Sequence, residues 1–325
     1  MSKLEEQLNQ ASKAEASGGY FNAAFMYKEA LSLARDLGNS AAIKECKSKI
    51  PEMNKKMKDE LNHFSVEQKI SEEEINKIVQ HFLDIKDTDK ILEAIGREPI
   101  FCPNYQTIVN SASKTMPVSY NFVNLSTISE DGHLINGGDD PVKAWQMTIY
   151  EQSQTIILRV YLTSVFYRLV EDAIINQDTL SAFFERTGFF NEHPFEIIKA
   201  GIEKFFVGDF ISALHILIPQ FESLFLFLSE KLGLDIVALN AGKGISTQTR
   251  TLSVTFLSTP ECIKVWGEDF CQQLTFILFE PLGYKLRHKI AHGEIKASEC
   301  NFGTASLALY LYFVLAARVK PVQKK

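Results

Sequence analysis

The chain has 325 residues, 46% of them hydrophobic and 11% aromatic, enough to bury a sizeable core in more than one compact unit. A formal charge of −6 and a pI near 5.7 exclude broad, salt-driven binding along duplex DNA or an anionic membrane, which needs clustered Lys and Arg. The five cysteines are odd in number and never spaced Cys-x-x-Cys, which argues against a disulfide framework and a structural zinc site and fits a reducing cytoplasm best.

The opening MSKLEEQLNQ is polar and does not read as a signal peptide. Residues 3–58 carry helical patterning. After the Gly18-Gly19 turn, Ala23, Tyr27, Ala30 and Ala34 recur at three- and four-residue steps and give one face of small side chains. Through Gly18, Tyr20, Ala23, Tyr27 and Ala30 this stretch resembles the second half of a tetratricopeptide repeat. Gln7 and Gln10 stand where that repeat has apolar residues, and no second copy follows. A single helical hairpin, open to a protein partner, is therefore expected rather than a solenoid. Residues 51–70 are lysine-rich and suit a linker or an exposed helix. Ser71 and Glu74 form a capping box opening a helix to about Leu83, and Asp87 to Ile95 reads as another. Residues 1–97 are thus an N-terminal helical region.

Residues 98–141 read as an irregular connector. Pro99, Pro103 and Pro117 interrupt helix, and SEDGHLINGGDDP (129–141) is dense in turn residues, with a short hairpin expected around Asp131-Gly132. A C-terminal helical domain is expected over 142–325. Asp140 and Pro141 start a helix running to Val170, and Asp178 caps one ending at Arg186. Pro194 opens the next. Asp209 opens a long helix ending at Gly233, with Pro219 inside it as a kink. The apolar runs 155–170 and 305–319 are too short or carry arginine, so they read as buried helices and not as membrane spans. Residues 240–253 read as a loop, with helices near 259–280 and 298–318. No set of alternating strands stands out. The expected fold class is all-α, a helical bundle with an N-terminal hairpin and an irregular connector.

The segment LGYKLRHKIAHG (282–293) concentrates chemistry. Arg287 stays charged, and its planar fork matches phosphate oxygens. Histidine titrates near neutrality, so His292 and His288 can act as base or acid. Lys285 and Lys289 add positive charge, and Tyr284 adds a ring. Spacing alone is weak evidence, since Arg186 and His193 in RTGFFNEH imitate it. On a straight helix, positions five apart differ by about 140°, so Arg287 and His292 do not share a face. A bend or a second protomer has to bring them together. Each residue also has a structural reading: His292 bonding helix-end carbonyls, Arg287 paired with Glu222, His288 and both lysines solvated, and Tyr284 in the core. His215 reads as a core histidine, and His63, His81 and His133 have no partners in sequence. Gly-Lys-Gly at 242–244 lacks the spacing of a phosphate loop, no His and carboxylate cluster suggests a metal, and no Gly-x-Ser-x-Gly elbow appears.

LIPQFESLFLFLSEKLG (217–233) followed by PLGYKLRHKIAHGEI (281–295) resembles a branch of the HEPN superfamily, the higher eukaryotes and prokaryotes nucleotide-binding domains. That branch carries an Arg-Asn-x-x-x-His-Gly motif near its C-terminal end. Arg287, His292 and Gly293 match it, and His288 stands where asparagine is usual. The segment Pro219 to Glu222 resembles the upstream helix, and the likeness spans residues 195–318. The resemblance implies a helical bundle that dimerises, with the motif near a cleft between protomers, and cleavage of RNA without metal or cofactor. Arg287 would clamp the phosphate, His292 would move the proton and His288 would assist. Lys285, Lys289 and Tyr284 would contact RNA, and Glu222 would orient Arg287. RNA supplies its own nucleophile, the 2′-hydroxyl, so the products would be a 2′,3′-cyclic phosphate and a 5′-hydroxyl. Defence and toxin roles are common in the superfamily. The alternative is a non-catalytic RNA- or nucleotide-binding module, or a helical interaction scaffold, which the departure at His288 and the acidic net charge favour.

Overall fold

The computed structural model describes residues 2–57, 69–117, 127–128, 132, 134–136, 140–188, 195–241 and 245–319. The fold is all-α, and strands among the described residues are confined to two antiparallel hairpins. The chain divides into two compact units, Met1–Lys69 with Met116–Trp145, and Ile70–Thr115 with Gln146–Lys325.

In the first unit α1 (Lys3–Ala16), α2 (Tyr20–Asp36) and α3 (Ser40–Met57) pack in succession. Ser2 caps α1 by accepting from the Glu5 N–H, and the Glu5 carboxylate accepts from the Ser2 N–H in return. Gly18 and Gly38 supply the left-handed residues of the two turns. Ala11, Ala23, Ala30 and Ala34 are fully buried around Tyr27, and such small side chains let the helices approach closely. The Glu15 carboxylate joins all three helices, accepting from the Tyr27 hydroxyl at 2.8 Å and from Lys49 Nζ at 2.6 Å. Strands β1 (Thr127–Ile128) and β2 (Leu134–Asn136) pair antiparallel about the expected turn; Asp131 lies outside the described residues, as do His63 and His133. Gly132 accepts from Asn54 Nδ2 at 2.8 Å, and a Cβ on it would lie 2.1 Å from the Pro51 carbonyl oxygen. Lysine-rich residues 51–57 therefore complete α3 and do not act as a linker.

The second unit opens with α4 (Glu72–Leu83), α5 (Thr88–Arg97) and α6 (Tyr105–Thr115). Ser71 accepts from the Glu74 N–H, but the Glu74 carboxylate accepts from the Tyr161 hydroxyl, so the capping box is half made. Helix α6 lies inside 98–141, which is therefore not irregular throughout; Asn104 caps it by accepting from the Thr107 N–H at 2.8 Å. The expected helix from Asp140 to Val170 is α7 (Pro141–Thr155), a π-helical stretch (Ile156–Leu162) and α8 (Thr163–Glu171). Helix α9 (Gln177–Arg186) is capped by Asn176, not Asp178, because Asn176 and Thr179 bond reciprocally. Then follow α10 (Phe195–Phe206) and α11 (Phe210–Lys231), the latter running through Pro219. Residues 240–253 are not simply a loop: β3 (Val237–Ala241) and β4 (Ile245–Thr249) form a hairpin, while 242–244 lie outside the described residues.

The chain ends in α12 (Val254–Leu257), α13 (Pro260–Trp266), α14 (Glu268–Leu278), α15 (Leu286–Ala291) and α16 (Phe302–Arg318). Helix α16 is apolar all round and buried from Thr304 to Leu315, which makes it the central helix of its unit. Phe166 and Phe184 both stack on Phe313, with centroids 5.6 Å away. A Cβ on Gly96 would sit 2.2 Å from the Phe313 oxygen, so glycine sets how closely α5 meets α16. One buried amide, Gln273, donates to the Phe101 carbonyl and to Gln154 Oε1 and accepts from the Tyr310 hydroxyl. Helix α11 is long and apolar enough to cross a membrane by length and composition, but half of it is buried here, including Leu214, Leu217, Phe221 and Phe225. Its outward face carries His215, which is exposed and bonded to the Ile211 carbonyl oxygen, contrary to the core position expected for it.

Candidate functional site

The motif helix is placed from both ends. Upstream, the Tyr284 N–H donates to the Phe276 carbonyl at 3.2 Å, which lays the chain against α14. Gly283 makes that approach feasible, since a Cβ there would lie 2.0 Å from the same oxygen. Lys285 precedes α15 in the left-handed region, φ 53°, a conformation costly for a residue with a Cβ. Leu286 is buried and anchors the first turn. Downstream, Gly293 takes φ 68°, Glu294 N–H reaches the Lys289 carbonyl at 2.7 Å and Gly293 N–H reaches Ile290 at 3.3 Å. This is a Schellman stop, and it reverses the chain so that Glu294 faces back along the helix.

Helix geometry separates the motif into three faces. On the first, Arg287 Nε donates to Glu222 Oε2 on α11 at 3.1 Å, and both side chains are mostly covered. The other oxygen of Glu222 accepts from the Leu252 N–H at 3.0 Å. On the second face, the rings of His288 and His292 lie with centroids 4.4 Å apart and planes inclined by 49°. His292 is exposed and His288 half-exposed. Glu294 serves this face: it pairs with Lys285 at 3.2 Å and approaches His288 Nε2 at 3.5 Å. The Lys285 hydrogen bond holds the Glu294 carboxyl below its ordinary range, with the charges of Lys285, His288 and His292 acting in the same direction. On the third face Lys289 pairs with Glu299.

Two expectations change. Tyr284 is not open to stack on a base, because its ring is buried edge-on to Phe276 and covered by the Arg159 guanidinium at 5.0 Å. Burial pushes its hydroxyl pKa up, against the lowering influence of Arg159. Lys285 and Lys289 are not simply solvated, since each already has a carboxylate partner. Arg287 and His292 occupy different faces, as their five-residue separation requires. Arg186 pairs with Asp89 on α5, while its partner in the imitation motif, His193, lies outside the described residues. His81 has a partner, Glu98 at 2.6 Å. Sequence reading passed over Glu294, Glu299 and Arg159. The first two become partners only through the turn after His292. The third stands far upstream in sequence, on the π-helical stretch, and offers no sequence signal. Among the described residues, no group of three or more His, Cys, Asp or Glu side chains could hold a metal ion. No protein-family model, curated protein or solved structure matches the chain.

Proposed function

We propose that the chain is a metal-independent endoribonuclease of the HEPN type, acting in the cytoplasm as a homodimer on RNA. The observation that carries this reading is the pair of accessible imidazoles, His288 and His292, on one face of a short helix end. A base and an acid are what 2′-hydroxyl attack needs, one to take the nucleophile's proton and one to protonate the 5′-leaving oxygen, and an imidazole can serve as either. His292, the more exposed, moves the first proton. His288 assists, and Glu294 stabilises whichever ring is charged. Arg287 uses Nε for Glu222, so its two terminal nitrogens are not part of that bond and can clamp a phosphate. Lys285 and Lys289 reach the RNA backbone by exchanging their carboxylate partners for phosphates. The rings touch, so no phosphate fits between them within one protomer. A two-fold partner presenting the same groups from across a cleft solves that geometry.

One observation favours a second reading, a helical binding module without cleavage. All three motif cations are already neutralised by carboxylates, Glu222, Glu294 and Glu299. The test is an oligoribonucleotide incubated with the full chain in EDTA. The expected products end in 2′,3′-cyclic phosphate, and His292→Ala slows the reaction by about a hundredfold or more while remaining folded. Mixing inactive His292→Ala and Arg287→Ala chains should restore part of the rate if the site is shared between protomers. Binding without cleavage selects the module, and neither binding nor cleavage removes both readings.

A further inference from the structure

A cavity of about 360 Å³ opens beside the third face of α15, within the size range of small-molecule sites. Its walls come from the π-helical stretch, the Gly283–Leu286 segment, α15 and the start of α16. The wide turns of the π stretch shift its side chains around the axis relative to α7, and this is how Arg159 comes to line the cavity. Thr163 bonds the Leu158 carbonyl at 3.2 Å and closes those turns. The Arg159 guanidinium sits over the Tyr284 ring, 5.0 Å from its centroid, a cation–π contact that restrains the fork. Lys289, on α15, brings a second cation to the lining. Glu299 also lines the cavity, held by Lys289 and by the Lys296 N–H at 2.9 Å. Two cations against one carboxylate leave the lining net positive. Gly303 and Thr304 add the first turn of α16, where the Phe302 and Gly303 N–H groups have no acceptor inside the helix.

We propose that this cavity binds a phosphate monoester, with the phosphate between Arg159 and Lys289 and an attached body of sugar size in the remaining volume. A planar carboxylate would be satisfied by the arginine fork alone. A fork on one wall and a point-like ammonium on another suit a tetrahedral group whose oxygens diverge. The site lies on another face of α15 from the histidines; it shares Lys289 with the proposed RNA contacts, but its argument does not rest on the nuclease reading. The monoester can come from a free sugar phosphate or from the phosphorylated end of an RNA.

The test is calorimetric titration of the full chain with ribose 5-phosphate, with ribose, and with a short oligoribonucleotide carrying or lacking a 5′-phosphate. Phosphorylated ligands should bind at least about tenfold more tightly than their phosphate-free counterparts. Arg159→Gln, at an exposed side chain, should leave the circular dichroism spectrum unchanged and weaken that binding by about tenfold or more. Binding of ribose 5-phosphate assigns the free metabolite as ligand, and Arg159-dependent binding of the phosphorylated oligonucleotide alone assigns the RNA end. His292→Ala should leave the affinity within about twofold, so loss of cleavage and loss of this site are read separately. Affinity indifferent to the phosphate, or to Arg159→Gln, overturns the proposal.

Discussion

Gly283 shows how one missing side chain positions the whole motif. Its backbone lies so close to α14 that a Cβ would overlap the Phe276 carbonyl oxygen at 2.0 Å. Gly283→Ala should therefore lift the chain from α14, break the Tyr284 N–H to Phe276 bond and cost about 3 kcal/mol. A melting temperature equal to wild type would mean that the segment relaxes freely and that the motif helix is not pinned there. The sequence announces Gly283 as a helix breaker, but not as a contact, because the oxygen it accommodates belongs to a residue seven positions earlier on another element. Glu222 was legible as the partner of Arg287, since a carboxylate and a guanidinium in two apolar segments of one unit need each other. The pairs Lys285–Glu294 and Lys289–Glu299 were not. They depend on where the chain goes after Gly293, and Gly293 signals a stop without giving the direction of return.

At the scale of elements, Glu222 is the joint between α11, α15 and the segment entering α12. One carboxylate oxygen takes Arg287 and the other takes the Leu252 backbone N–H. Glu222→Ala leaves a mostly covered guanidinium and a covered N–H without acceptors, and should cost roughly 2 kcal/mol. Glu222→Gln keeps an oxygen for Leu252 and should recover part of that loss. Denaturant titration of both variants checks the order, and equal losses would show that only the ion pair matters. The helices themselves were readable where caps are explicit: Asp209 before α11 and Gly233 after it both hold their places. The π stretch was invisible, because Ile156–Leu162 contains neither glycine nor proline and its apolar pattern fits an ordinary helix equally well. The β3–β4 hairpin was missed for a related reason. Its short run of Ser, Thr and Gln has no apolar alternation, so the turn residues beside it dominate the reading.

At the scale of the molecule, each of the two units encloses its own hydrophobic cluster, and the clusters differ in kind. The first is built from alanines around Tyr27, and the second from stacked aromatic rings around α16. An alanine core buries little apolar area per residue, so the first unit should unfold at lower temperature than the second. Tyr27→Ala deletes the largest fully covered ring of that small core and its bond to Glu15, a loss of about 3 kcal/mol or more. The low-temperature transition should fall or vanish. Emission from Trp266, buried in the second unit against Phe225 at 4.7 Å, should keep its midpoint when recorded in a Trp145→Phe background. Acid should act on the same transition. Burial pushes the Glu15 carboxyl up, but the Lys49 and Tyr27 hydrogen bonds outweigh it and hold the pKa below its ordinary value. A depressed carboxylate pKa contributes stability that is complete above the unfolded value, about 4.3, and is lost as the pH falls through the folded one. Lowering the pH below that range should therefore bring the first midpoint down, and Glu15→Gln should flatten the dependence. If the Trp266 midpoint followed Tyr27→Ala step for step, the two clusters would belong to one cooperative core and the division into units would have no thermodynamic meaning.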